Sequence, residues 1–290
     1  MVLVLVLVTG GSSGIGMATA HKFTEAGAAT LICGRKVDKL EEACKQVRAK
    51  GYSFVDYPAD IADMADCNRF LTQLLVDHGR VEFLINNAGR SIRRAIKSSY
   101  DRFHNFDRTT QLNYFGSLRV AMKLLSSMTA KKNGHVANIS SIGVLTNAPL
   151  FSAYAGFKAA LDVWTRCAAS EFADQGVSFT TINMPLVRTP MIAPAGLYNN
   201  VPTLSPEEAT DLVAQACIFK PVRIATRLGT AGPLLQAVIP RFAQIAMNTS
   251  FRMSPDSGAA KGGKPEEKPV KHQLSPEAVP LQQMMRGIHC

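Results

Sequence analysis

Thr9-Gly10-Gly11-Ser12-Ser13-Gly14-Ile15-Gly16 decides how the rest of the chain is read. It follows the apolar run Val2–Val8 and opens an amphipathic stretch, Gly14–Ala26. A glycine-rich turn between a strand and a helix lets the backbone approach a pyrophosphate, and the helix N-terminus then offers free N–H groups and a favourable dipole. Alone, such a turn reads equally well as a tight structural connection. Further along, short apolar runs recur at Ala29–Cys33, Ser53–Tyr57, Val81–Asn86, His135–Ser140 and Val177–Asn183. Longer amphipathic stretches separate them at Val37–Lys50, Asp63–His78, Phe106–Ala130 and Ala153–Asp174. Strands alternating with helices build βαβ units and a parallel sheet. Apolar runs without polar alternation suit strands buried on both faces. The expectation is an α/β fold: a single Rossmann-type, doubly wound parallel sheet with helices on both faces and ligands at the carboxyl ends of its strands.

With 290 residues, 47% of them hydrophobic, the chain is long enough for one sizeable core. Residues 1–253 are expected to form one domain, with a substrate cover over about 186–217 and a C-terminal helix. Residues 254–290 are expected to be a flexible tail, since Ser254–Pro269 is rich in Pro, Gly, Lys and Glu. Ser205-Pro206-Glu207-Glu208 predicts a helix start, with an N-cap serine, proline at the first position and a capping-box glutamate. Ala231–Phe251 is apolar but broken by Pro240 and Arg241. It reads most simply as a packed terminal helix; docking on a membrane, or lining an acyl tunnel, is the alternative. The Val2–Val8 run lacks a basic lead-in and is too short to span a bilayer, so it is expected to be a buried strand.

The net charge is +10, which admits nucleic acid, an anionic surface or a polyanionic small molecule. The basic residues are spread along the chain, with no zinc-finger spacing and no basic helix leading into heptads, so no nucleic-acid partner is expected. The six cysteines form no C-x-x-C pair and no Cys/His cluster. They are expected to be reduced thiols in a cytoplasmic protein, with no metal.

In the cofactor site, Thr9, Gly10, Ser12, Ser13, Gly14, Ile15 and Gly16 form the candidate phosphate turn. After the second strand stands Arg35, where an acidic residue would bind the ribose hydroxyls of NAD. An arginine there pairs instead with the 2′-phosphate of NADP, with Lys39 one turn on to assist. Asp60 and Ile61 follow the third strand, where a carboxylate reaches the adenine amino group; Asp60 equally suits a helix N-cap. Asn86-Asn87-Ala88-Gly89 follows the fourth strand, and small residues such as Ala88 and Gly89 let the chain pass close to a cofactor.

Tyr154 and Lys158 stand four residues apart, on one face of a helix. A tyrosine is a poor proton donor or acceptor at neutral pH, and a nearby ammonium favours its phenolate. The lysine also suits the nicotinamide ribose. Ser141, thirteen residues before Tyr154 and just beyond a strand, can hydrogen-bond a substrate carbonyl. Asn113 can anchor a water leading to Lys158. The pair alone is a weak signal, but together with the serine and the glycine-rich turn it is strong.

These residues together resemble the short-chain dehydrogenase/reductase family, over roughly Val4 to Gly229. The resemblance implies Asn113, Ser141, Tyr154 and Lys158 as the catalytic set, and adds Val187 and Thr189, after the sixth strand, on the nicotinamide side of the cofactor. A narrower resemblance is carried by Asn86-Asn87-Ala88-Gly89-Arg90-Ser91-Ile92-Arg93-Arg94, Tyr100-Asp101-Arg102-Phe103-His104, Asn138-Ile139-Ser140-Ser141-Ile142-Gly143-Val144-Leu145 and Met184-Pro185-Leu186-Val187-Arg188-Thr189-Pro190-Met191. These strings are similar to those of bacterial fatty acyl-CoA reductases that form aldehydes. They imply NADPH as cofactor, a long-chain acyl-CoA as substrate, and fatty aldehyde and CoA as products. They also imply a homodimer or homotetramer. Arg90, Arg93 and Arg94 would then suit CoA phosphates. Phe157 stands where a small or polar residue is expected. Reduction of a ketone, steroid or 3-oxoacyl substrate, and a non-catalytic NADP-binding role, are the other readings.

Overall fold

The computed structural model describes residues 4–192 and 203–253. The expected tail, the 193–202 part of the expected cover and the first three residues lie outside the described residues. Seven strands form one parallel sheet: β1 (Leu5–Thr9), β2 (Ala29–Gly34), β3 (Phe54–Pro58), β4 (Phe83–Asn86), β5 (Gly134–Ser141), β6 (Val177–Met184) and β7 (Arg223–Ile224). Their order is β3-β2-β1-β4-β5-β6-β7. The chain winds one way from β1 to β3 and then the other way from β4. The reversal leaves a crevice at the carboxyl ends of β1 and β4, where ligands bind in sheets of this kind.

Alternation along β1 shows why two helical layers are needed. Leu5 and Leu7 enter one core with Leu31, Phe70, Leu74 and Leu124. Val6 and Val8 enter the other, with Ile32, Ile85, Leu212 and Val213. Successive strand side chains point to opposite faces, so a strand apolar at every position must be covered twice. α3 (Met64–His78) and α5 (Ser117–Ala130) cover the first face; α1 (Gly14–Glu25), α2 (Val37–Arg48) and α8 (Pro206–Phe219) cover the second. The doubly wound sheet is as the sequence predicts, and the first six strands match their apolar runs to within a few residues.

Three differences bear on the site. First, the stretch expected as one helix over Phe106–Ala130 is α4 (His104–Thr110), a π-helical segment (Gln111–Gly116) and α5. π-helical turns widen the helix by one residue and are frequent at functional sites. Second, α8 has the expected capping box, with Ser205 Oγ accepting from the Glu208 N–H at 3.1 Å. Yet Ala209, Leu212, Val213 and Ala216 are buried against the sheet and α1, so 206–217 is a packed layer rather than a cover. Third, the terminal segment is two helices, α9 (Arg227–Val238) and α10 (Pro240–Met253), divided at Pro240. Proline fits the first turn of a helix and breaks an interior. α6 (Ile142–Thr146) and α7 (Ser152–Glu171) complete the helices used below. No helix among the described residues is long and apolar enough to cross a membrane.

Candidate active site

The Thr9–Gly16 turn is clipped to the end of β4 from both sides. Thr9 Oγ1 accepts from the N–H groups of Asn87 and Ala88, each at 3.0 Å. Asn87 Nδ2 donates to the carbonyls of Thr9 and Gly10 at 3.0 and 3.3 Å. The clip leaves no room for a side chain at Gly16, where a Cβ would stand 2.3 Å from the Gly10 oxygen. Gly10 and Gly14 have φ of +67° and +54°, which favour glycine. The N-cap residue of α1, Ser13, makes no side-chain cap, and no acidic residue lies in the first turn. The leading N–H groups are therefore uncapped by side chains, as an anion site requires. A Cβ on Gly14 would meet Thr189 Cγ2 at 3.3 Å, so Thr189 closes over the turn. Val187 is buried beneath, in the same core as Ile15.

Arg35 lies at the end of β2, exposed, with Nη1 3.7 Å from Asp60 Oδ2. Asp60 does not cap a helix. Its Oδ1 accepts from Ala62 N–H at 3.0 Å, while the N-cap of α3 is Asp63. Ile61 is buried, and a Cβ on Gly116 would meet its Cγ1 at 3.0 Å. Lys39 is exposed on α2. Burial and the charges of Arg108 and Arg35 hold Arg90 below the usual arginine range.

Asn113, Ser141, Tyr154 and Lys158 come from three segments, the π-helical turn, the end of β5 and α7, and converge. The π-helical segment turns Asn113 inward, fully buried. Its Oδ1 accepts from the Arg90 N–H at 2.8 Å and its Nδ2 donates to the Arg90 carbonyl at 2.7 Å. The side chain is spent on holding the loop after β4, so a water relay from Asn113 would have to use its main-chain carbonyl. A Cβ on Gly89 would stand 2.8 Å from Asn113 Oδ1 and 3.7 Å from Lys158 Nζ. Lys158 is 2% exposed and donates to the Ile139 carbonyl at 2.8 Å. Burial pulls its pKa down to about 8. Burial pushes the Tyr154 phenol up to about 12, against a hydrogen bond from the Ser141 hydroxyl. In this arrangement it is Ser141 that opposes the rise, and Tyr154 is a neutral phenol at pH 7. Phe157 is only partly covered.

An apolar cavity of about 610 Å³ lies against another side of α7, and none of the four residues lines it. Its walls are Ala95–Lys97, the 147–150 turn, the Ala155, Gly156 and Ala159 side of α7, and Phe251. A Cβ on Gly143 would lie 3.4 Å from Ser141 Oγ and 3.7 Å from the Cβ of Ala148, a cavity residue. Of the arginines expected after β4, all three are partly covered. Arg94 Nε and Nη1 are buried without a hydrogen-bond partner, although its N–H donates to the Leu150 carbonyl at 2.7 Å. Arg94 as a whole is only partly covered, and nothing in the sequence singled it out from Arg93. Of the expected cover, residues 186–188 pair with Leu204 through backbone hydrogen bonds of 2.8 and 2.9 Å. Among the described residues no group of three or more His, Cys, Asp or Glu is placed to hold a metal ion.

Residues 4–197 match the short chain dehydrogenase family. The chain is 48% identical over 256 residues to a fatty acyl-CoA reductase of Acinetobacter baylyi, covering 88% of this chain and 87% of that one. It is 38% identical over 243 residues to a fatty acyl-CoA reductase of Mycobacterium tuberculosis, covering 83% of each. A metagenomic short-chain oxidoreductase solved in complex with NADP superposes with a TM-score of 0.64 at 26% identity, covering 73% of this chain and 90% of that one.

Proposed function

The chain belongs to the short-chain dehydrogenase/reductase family, and from that premise we propose that this oxidoreductase uses NADPH to reduce the thioester carbonyl of a long-chain fatty acyl-CoA. The products are fatty aldehyde and CoA. The observation that carries the substrate is the 48% identical relative named as a fatty acyl-CoA reductase; the apolar cavity supports it from one residue away, since Ala148 on its wall and Ser141 flank the same glycine, Gly143. A cavity of this size is in the range of about 300–1,000 Å³ that suits a bound small molecule, and its lining suits an alkyl chain. A ketone or steroid reductase would use the same four residues, but would leave Nε and Nη1 of Arg94 without an acceptor.

The cofactor residues fit a dinucleotide. The Thr9–Gly16 turn, with no space for a Cβ at Gly16, would hold the pyrophosphate. Asp60 and Ile61 would flank the adenine, Asn87, Ala88 and Gly89 would line its passage, and Val187 and Thr189 would face the nicotinamide. Arg35, with Lys39, favours the 2′-phosphate of NADPH. When bound, the reduced nicotinamide supplies hydride to the substrate carbonyl carbon.

Ser141 and Tyr154 hydrogen-bond the carbonyl oxygen as negative charge develops on it. Tyr154, a neutral phenol at pH 7, donates its proton to that oxygen. Lys158 supplies positive charge beside the transfer, and Asn113 holds the Arg90 loop and offers its main-chain carbonyl for proton return. The thiohemiacetal then loses the CoA thiolate, which takes up a proton, and aldehyde remains. Arg90 and Arg94 suit the CoA phosphates. A homodimer or homotetramer fits the exposed Phe115, Met122 and Val163 on the long helices.

The test is NADPH consumption with palmitoyl-CoA, with released thiol counted in parallel and Tyr154→Phe as control. Equal loss of NADPH and gain of thiol, reduced by about 10²–10⁴-fold in the control, is expected for a positioned proton donor. NADPH binding with no thiol release would overturn the substrate.

A further inference from the structure

Residues 226–253 contain three arginines, Arg227, Arg241 and Arg252, and no aspartate or glutamate. They form α9 and α10, which follow each other through Ile239, its N–H donating to the Leu235 carbonyl and its carbonyl accepting from the Ala243 N–H. α9 is held to α6 through its glycines: a Cβ on Gly232 would stand 2.9 Å from the Leu145 carbonyl oxygen. α10 has no buried residue. Its inner side runs through every fourth position, Ala243, Met247 and Phe251, each only partly covered, and Phe251 reaches the apolar cavity. Its outer side presents Phe242, Ile245 and Met253, which are 58%, 65% and 76% exposed. α9 adds Leu234 and Val238, at 67% and 70%.

A helix of this length is marginal in water without burial of an apolar face, and this one leaves its outer apolar face bare. By helical periodicity Arg241 and Arg252 border the Phe242–Ile245 stripe on one side. Exposed apolar side chains bordered by arginine, with no acidic residue, are the composition of helices that lie in the headgroup region of a bilayer. Single-signed positive charge matches anionic headgroups, which attract basic segments close to the membrane surface.

We propose that the α9–α10 segment docks on an anionic bilayer surface. The apolar stripe enters the boundary between headgroups and acyl chains, and the arginines meet lipid phosphates. Because Phe251 joins the inner side of α10 to the cavity, docking sets that cavity one helix diameter, about 10 Å, behind the lipid boundary, where long-chain thioesters partition. This last link rests on the acyl-CoA reading; the docking does not.

The full chain is sedimented with vesicles of phosphatidylcholine containing phosphatidylglycerol, and with pure phosphatidylcholine vesicles. Binding to the anionic vesicles, weakened by high salt and by Arg241→Gln/Arg252→Gln, is expected. Each lost charge should weaken partitioning by about fivefold, from about 1 kcal/mol per basic residue. Phe242→Ser/Ile245→Ser should also release the protein, with its melting temperature and NADPH binding unchanged. Two results overturn the proposal: a chain that stays in the supernatant with anionic vesicles, or a Phe242→Ser/Ile245→Ser variant that still sediments but changes oligomeric state in gel filtration. The second would assign the face to another copy of the chain. A failure of vesicle binding with thiol release intact would leave the acyl-CoA reading standing.

Discussion

Replacing Lys158 with methionine should stabilise the protein while abolishing turnover, and the stabilisation should vanish at high pH. Lys158 is 2% exposed, and burial holds its pKa down from 10.5 to about 8. A group that takes up its proton less readily in the folded chain than in the unfolded one opposes folding when charged. The penalty is complete below about pH 8, shrinks as pH rises from 8 to 10.5, and is gone above that. Its size is about 3 kcal/mol, at about 1.4 kcal/mol per tenfold change in proton affinity. Methionine has a similar length and no charge, so the penalty goes. The hydrogen bond to the Ile139 carbonyl also goes, which costs about 1 kcal/mol.

The net expectation for Lys158→Met is a gain of about 2 kcal/mol at pH 7, about 5 °C in melting temperature for a chain of this size. Near the unfolded pKa of 10.5 the sign reverses, to a loss of about 1 kcal/mol from the missing hydrogen bond. Melting curves of the cofactor-free protein across pH 7 to 10.5, beside the NADPH assay, read both effects. A variant less stable at neutral pH, or a difference that does not change with pH, would refute the claim that this ammonium is desolvated. The same values fix the pH profile of the native enzyme. Lys158 loses its charge as pH rises through about 8, whereas Tyr154 keeps its proton until about 12. Reduction should therefore decline above about pH 8.

Arg35→Ser should raise the NADPH dissociation constant at least tenfold and leave NADH binding nearly unchanged, because only the 2′-phosphate loses a partner; equal weakening for both, by fluorescence titration, would count against the assignment. Gly156→Phe adds a ring where a Cβ meets nothing within 4 Å, on the wall of the cavity. Turnover with short acyl-CoA chains should persist while palmitoyl-CoA turnover falls at least tenfold, and an unchanged chain-length profile would place the acyl chain elsewhere. Burial holds His135 down from 6.5 to about 4, so the unfolded chain binds its proton first and stability is lost as pH falls through that window. His135→Phe should remove up to about 3 kcal/mol of that acid sensitivity; parallel melting curves for both proteins from pH 6.5 to 4 would show that His135 is not its source.

The sheet and its crevice were legible because their signals are local. An apolar run, a glycine-rich turn and an amphipathic helix recur in order, and β1 with α1 needs nothing more. The features that were not legible depend on contacts between distant segments. A π-helical turn disturbs the helical period by a single residue, so 111–116 reads as ordinary helix; only Gly116 against Ile61 and Asn113 against Arg90 give it a reason. β7 has two residues, too few for any pattern. In 226–253 the sequence offers two prolines, of which Pro233 lies inside α9 and only Pro240 divides two helices, and periodicity cannot say which apolar stripe the rest of the chain will cover. The packed terminal helix expected there is instead two successive helices with bare apolar side chains.

Asn86 and Asn87 show how a motif can be read too uniformly. Adjacent in the sequence, they point opposite ways from the end of β4. Asn87 clips the phosphate turn and lies at the cofactor crevice. Asn86 is fully buried, and its Nδ2 donates to Asn138 Oδ1 on β5 at 2.9 Å. Asn138 Nδ2 donates in turn to Thr165 Oγ1 on α7 at 2.8 Å, and Thr165 Oγ1 to the Leu161 carbonyl at 2.6 Å. Buried polar groups have few alternative partners, so a linked chain of them fixes one register. This chain ties β4, β5 and α7 together one layer below the chemistry. Ser141 lies three residues beyond Asn138 on the same strand, and Lys158 two turns before Thr165 on the same helix. Moving either element would separate the Ser141 hydroxyl from Tyr154 and the Lys158 ammonium from Ile139. The first asparagine thus acts on the reaction only by holding β5 and α7 in register, and the second by shaping the turn that receives the cofactor.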